Sequence, residues 1–121
     1  PSSRGVFDGS VNVGQQAQQT DAGQLTKNLL LSKGATVNAK PNLKIIADDV
    51  ACTHGCTVAA LDAEQIFYMK QRGISEEAAN STLVQAFSNE ILMEIPFPAL
   101  EKRVSGAVSQ SLAGFVNAVT I

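Results

Sequence analysis

Between Gly5 and about Leu61 the apolar residues come in short clusters broken by turn formers, whereas beyond Asp62 they recur every three to four positions. That change of period predicts a β-rich first half and a helical second half. In the first half Val6-Phe7, Val11 with Val13, Leu29-Leu30-Leu31, Ala35 with Val37 and Ala39, Leu43 with Ile45-Ile46, Val50 and Val58 each fit a strand of about three to five residues. The expected turns are Asp8-Gly9, Asp21-Ala-Gly23, Lys33-Gly34 and Lys40-Pro-Asn42. Strands so short and evenly spaced suggest stacked rungs of a solenoid, with the polar insert Gln15-Gln-Ala-Gln-Gln-Thr20 at an outer corner. A β-sandwich is the other architecture the pattern allows.

In the second half, Asp62 followed three residues later by Gln65 forms a capping-box pattern, which predicts a helix running to about Arg72. Gly73 suits the left-handed position that closes such a helix, and Lys70 and Arg72 favour the negative end of its dipole. Ser75 is placed to cap a second helix with Glu76 and Glu77 in its first turn, Ala79, Leu83, Phe87 and Ile91 on its apolar face, and Pro96 and Pro98 beyond its end. A third helical segment carries Leu100, Val104, Val108, Leu112, Phe115 and Val119 on one stripe.

Composition narrows the function classes. With 121 residues, 45% apolar and 17% charged, the chain has room for one core, or two small cores sharing an interface. A net charge of −2 without a long basic run argues against a nucleic-acid or anionic-membrane surface. No apolar run approaches a membrane span, which predicts a soluble protein. The chain opens at Pro1, directly on β-like sequence, as a piece of a longer protein would.

Nearly all the reactive side chains lie in Asp48-Asp-Val-Ala-Cys-Thr-His-Gly-Cys56. Cys52, His54 and Cys56 alternate with Thr53 and Gly55, so an extended strand presents all three on one face, as soft or borderline metal ligands such as Zn²⁺ or iron–sulfur clusters require. Three ligands are one short of a closed tetrahedral site. A partner chain, Asp48 or Asp49 are the candidates for the fourth. The plainer alternative makes Cys52 and Cys56 small buried side chains and His54 a hydrogen-bonded surface residue. At i and i+4 on a strand the cysteines stand roughly 13 Å apart, too far for a disulfide, which points to a reducing compartment. No phosphate-cradling or dinucleotide fingerprint occurs, no nucleophile with its base and oxyanion donors is assembled, and an enzyme in its own right is not expected. In the first helix Ile66, Phe67, Tyr68 and Met69 are more large side chains than one stripe buries. Phe67 and Phe87 are assigned to the core, while Tyr68, Arg72, Gly73 and Ile74 form a candidate docking surface.

Three stretches, Arg4-Gly-Val-Phe-Asp-Gly9 with Gln19-Thr-Asp21, Lys40-Pro-Asn-Leu-Lys-Ile-Ile-Ala-Asp-Asp-Val-Ala-Cys-Thr-His-Gly55, and Glu64-Gln-Ile-Phe-Tyr-Met-Lys-Gln-Arg-Gly-Ile74, resemble the C-terminal part of the SufB/SufD family of iron–sulfur cluster assembly proteins. The Asp-Asp-Val-x-Cys-x-His-Gly segment points to its SufD branch. The likeness runs from about residue 4 to about residue 95 and fades beyond Pro96; Thr53 stands where Ser is usual and Cys56 where a small residue is usual. The resemblance implies the last rungs of a right-handed parallel β-helix over residues 1–61 and a small helical domain over 62–121. It further implies a scaffold subunit of the SUF machinery, in bacterial cytoplasm or plastid stroma. Such a subunit pairs with a SufB-type paralogue through the end of the β-helix and docks a SufC-type ABC ATPase through the helices. By matching position His54, with Cys52 beside it, is implied to serve a transient iron–sulfur cluster shared with the partner. An open rung end also predicts self-association through strands.

Overall fold

The computed structural model describes residues 2–119, with side chains from 2 to 112. The chain divides into two compact units, residues 1–60 and 61–121.

The first unit contains four strands of ten residues each, β1 (Arg4–Val13), β2 (Asp21–Leu30), β3 (Thr36–Ile45) and β4 (Ala51–Ala60). Successive strands do not pair. Instead β1 pairs with β3 and β2 with β4, both in parallel, so each ladder skips a strand and the chain alternates between two sheets. Arg4 lies opposite Thr36 and Val13 opposite Ile45, a constant offset of 32 positions. In the other ladder Asp21 faces Ala51 and Leu30 faces Ala60, an offset of 30. At ten residues each, the strands are two to three times as long as the residue clusters suggest. Asp8-Gly9, Asp21-Ala-Gly23 and Lys40-Pro-Asn42 are strand rather than turn, and of the four expected turns only Lys33-Gly34 lies between strands. The reason is topological: in a two-stranded sheet both strands are edges, and an edge tolerates Pro41 and Gly9 opposite one another. The carboxylate of Asp8 accepts a hydrogen bond from the Asn42 side chain across the ladder (3.1 Å).

Along most of this ladder the odd-numbered residues are the more buried, with Phe7, Gly9 and Val11 opposite Ala39, Pro41 and Leu43. On β2 the more buried residues at its start are the even-numbered Ala22, Gln24 and Thr26. Val13 and Ala47, the buried apolar residues of this unit, sit where β1 ends and where the chain turns toward β4. The polar insert forms the corner between β1 and β2. Gln19 adopts φ 61 there, its N–H donates to the Asp49 carbonyl (2.6 Å), and the Asp49 N–H donates to the Gln18 side chain (2.9 Å). One corner is thereby stacked on the next, and Asp49 takes part in it through its backbone.

The second unit holds α1 (Ala63–Gln71), α2 (Glu76–Leu92) and α3 (Pro98–Val119). Asp62 caps α1 by accepting from the Glu64 N–H. At the other end the N–H of Ile74 donates to the Met69 carbonyl and that of Gly73 to Lys70, with Gly73 at φ 84, a Schellman closure. Ser75 caps α2 by accepting from Ala78 N–H (3.2 Å); Ser75→Ala is expected to cost about 1 kcal/mol in denaturant unfolding of the helical signal. Pro98 opens α3, where its missing N–H has no intrahelical role to lose. In α2 the buried residues are Ala79, Val84 and Leu92, whereas Ile91 is 62% exposed. A strict spacing of four advances roughly 40° per step around a helix, which carries the series from Ala79 to Ile91 off the packed face. Phe87 is half-buried, but Phe67, expected in the core, is 63% exposed. Only Ile66 and Met69 on α1, one turn apart, are partly covered. Phe115 and Val119 lie outside the residues whose side chains are described.

Candidate functional site

β4 carries the reactive residues. Strand alternation sets Cys52, His54 and Cys56 on one side, each about 7 Å from the next along the strand, with Cys52 half-buried and His54 and Cys56 exposed. Both thiols are free. The spacing that gives three potential ligands one face also prevents them from converging on one ion, and no group of three His, Cys, Asp or Glu side chains able to hold a metal occurs among the described residues. The corner containing Asp48 and Asp49 does not supply the fourth ligand within this chain.

The ladder adds a residue that spacing along the sequence does not reveal. Gln24 on β2 is the register partner of His54, as Ala22 is of Cys52 and Thr26 of Cys56. No local motif links positions 24 and 54; only the offset of 30 brings them side by side.

A second group gathers where α1 closes. The Arg72 guanidinium lies 4.8 Å from the centroid of the Tyr68 ring, a cation–π contact. Gly73 turns the chain and Ile74 follows, 37% exposed. Lys70 and Glu76 bridge the turn at 2.6 Å, an exposed pair that stabilises the elbow by at most about 1 kcal/mol. An open depression runs along α1 beside these residues, lined by Phe67, Tyr68, Met69 and, from α2, Leu83. Tyr68 is 58% exposed, so the helix offers two aromatic rings to solvent.

A parallel-stranded unit whose last strand bears a Cys-x-His-x-Cys face, followed by a separate helical unit, is the setting in which the family match falls. Residues 1–87 match the family described as SUF system FeS cluster assembly, SufBD core domain, and the chain belongs to it. Among its relatives, Protein ABCI7, chloroplastic, of Arabidopsis thaliana is 52% identical over 95 residues, covering 78% of this chain and 20% of that protein. The Escherichia coli iron–sulfur cluster assembly protein SufD is 42% identical over 111 residues, covering 92% of this chain and 26% of SufD. A SufBD family protein of Synechocystis is 46% identical over 104 residues, covering 86% and 23%. The chain thus spans a fifth to about a quarter of the length of these curated relatives. The alignment with the Escherichia coli protein spans 111 of the 121 positions and so reaches past Pro96, whereas the family match ends at residue 87. The relatives are bacterial and chloroplastic, and no helix among the described residues is long and apolar enough to cross a membrane.

Proposed function

We propose that this chain is part of a scaffold subunit of SUF iron–sulfur cluster assembly, with His54 and Cys52 contributing to a cluster site that a partner chain completes. The cluster is cargo, built on the assembly and passed on. The observation that carries the reading is His54 itself: it stands exposed on β4, a strand paired on one edge only among the described residues, inside the residues that match the SufBD core. An unpaired edge accepts a strand from another chain, and a SufB-type paralogue is the proposed donor. It would bring the missing ligands beside His54. The same edges let the chain pair with itself when that partner is absent. Parallel ladders at near-constant offsets support reading the first unit as rungs of a right-handed parallel β-helix.

The helical unit is proposed to dock a SufC-type ABC ATPase through Tyr68, Arg72, Gly73 and Ile74. Support comes from the exposed aromatic pair on α1 and the Arg72–Tyr68 stack, a preorganised planar donor of the kind that anchors interfaces. Arg72→Glu combined with Tyr68→Ala should weaken binding of the ATPase roughly 30-fold, about 2 kcal/mol, in a titration with the purified ATPase, while helical circular dichroism is unchanged. Unaltered affinity would move the docking surface elsewhere, first to α3.

A second reading, a purely architectural module with the cluster carried by the partner alone, draws on the spread of Cys52, His54 and Cys56 along β4. Iron loading of the complex separates the two readings.

A further inference from the structure

Paired residues of a parallel ladder point to the same side with backbones about 4.8 Å apart, so Gln24 and His54 are immediate side-chain neighbours. Gln24 also reaches across to β1. Its Nε2 occupies the space a Cβ on Gly9 would fill, and the Phe7 ring lies 2.6 Å from that same point. Glycine at position 9 therefore makes room for the carboxamide, and the Phe7 ring fences it in. The other end of the same amide is unsatisfied: Oε1 of Gln24 is buried and has no hydrogen-bond partner among the described residues. A buried carbonyl oxygen without a donor is costly and calls for one nearby. The register partner of Gln24 is His54, an exposed residue whose imidazole has no hydrogen-bond partner among the described residues. The hydroxyl of Thr26 shares the face, but sits about 7 Å further along the strand.

We propose that Gln24 is a positioning residue for His54: its carboxamide oxygen accepts the ring N–H of His54, fixing one imidazole tautomer and leaving the other ring nitrogen bare and directed to the open side of β4. A histidine that binds a metal must present an unprotonated nitrogen, and the hydrogen bond made by its other nitrogen decides which one that is. Gln24 does this from 30 residues upstream, held by the space at Gly9. The inference deepens the reading of His54 as a cluster-site residue and rests on it for its functional meaning, although the pairing itself is tested without iron.

His54 is the chain's one histidine, so its ring nitrogens can be read without assignment ambiguity. In nitrogen-labelled chain, at a pH where imidazole is neutral, the two ring nitrogens should give widely separated shifts, one of N–H type and one bare. In Gln24→Leu the two shifts should collapse toward their exchange average. Gln24→Glu, which keeps an acceptor, should restore the separation. His54→Ala, at an exposed position, should in turn move the side-chain amide signals of Gln24, and this measurement serves if Gln24→Leu does not fold. Unchanged ring shifts in a folded Gln24→Leu chain, or unmoved Gln24 amide signals in His54→Ala, overturn the pairing. If the tautomer responds to Gln24 while iron loading of the partner complex ignores His54→Ala, the pairing stands and the cluster reading falls.

Discussion

A complex reconstituted with the proposed SufB-type and SufC-type partners is expected to retain far less iron when His54 is replaced by Ala. Loss of a hydrogen-bond partner behind a metal ligand already lowers metal affinity by about 10 to 100-fold, and loss of the ligand itself should do at least as much. Cys52→Ser is expected to weaken loading in the same direction, by less, because Cys52 is half-buried whereas His54 is exposed. The isolated chain should bind iron poorly with or without His54, since its three candidate ligands are strung along one strand. Iron and labile sulfide measured per complex decide the matter: equal loading in His54→Ala and the unmodified complex removes His54 from the site and favours the architectural reading. Tight stoichiometric binding by the chain alone would remove the need for a partner.

Ala79→Asp should unfold the helical unit. Ala79 is 0% exposed in α2, and a carboxylate there has neither water nor a partner. The cost of burying an unpaired polar or charged group, on the order of 3 kcal/mol or more, is comparable with the whole stability of a unit of about 60 residues, roughly 3–9 kcal/mol. The expected result is loss of cooperative thermal unfolding in the helical circular dichroism signal at room temperature, whereas Ile91→Asp, on an exposed position of the same helix, leaves the transition nearly in place. A cooperative transition retained in Ala79→Asp would mean that the packing around Ala79 can give way at little cost.

What could be read in the sequence depends on the range of the interaction concerned. Helix ends are fixed by residues two to four positions apart, and Asp62, Gly73, Ser75 and Pro98 all mark boundaries that the structure bears out. Strand ends in the first unit are fixed by a ladder thirty or more residues away. Gly9 and Pro41, each a turn signal by itself, therefore become opposite members of a strand pair. Burial differed for another reason. Phe67 looks like core by residue type, but a nine-residue α1 touches α2 along one narrow stripe and leaves the ring outside. The grouping of Cys52, His54 and Cys56 on one face follows from strand periodicity and was legible. Their inability to converge follows from the same periodicity. Gln24 was not legible, because its relation to His54 exists only once the register is formed.

The skipped-strand ladders also set the order in which the chain can assemble. Neither ladder of the first unit can begin until a later segment, 30 or 32 residues downstream, has been made and brought back, and closing loops of that length slows folding compared with local contacts. The helices pack on their sequence neighbours, α1 with α2 and α2 with α3, and can form quickly once synthesised. Because β4 is the second member of its ladder, β2 waits for it, and the strand bearing His54 is the last of the four to be synthesised. During synthesis β2 spends the interval with exposed Leu25 and an unmatched edge, the period in which the nascent chain is most open to capture by the wrong strand.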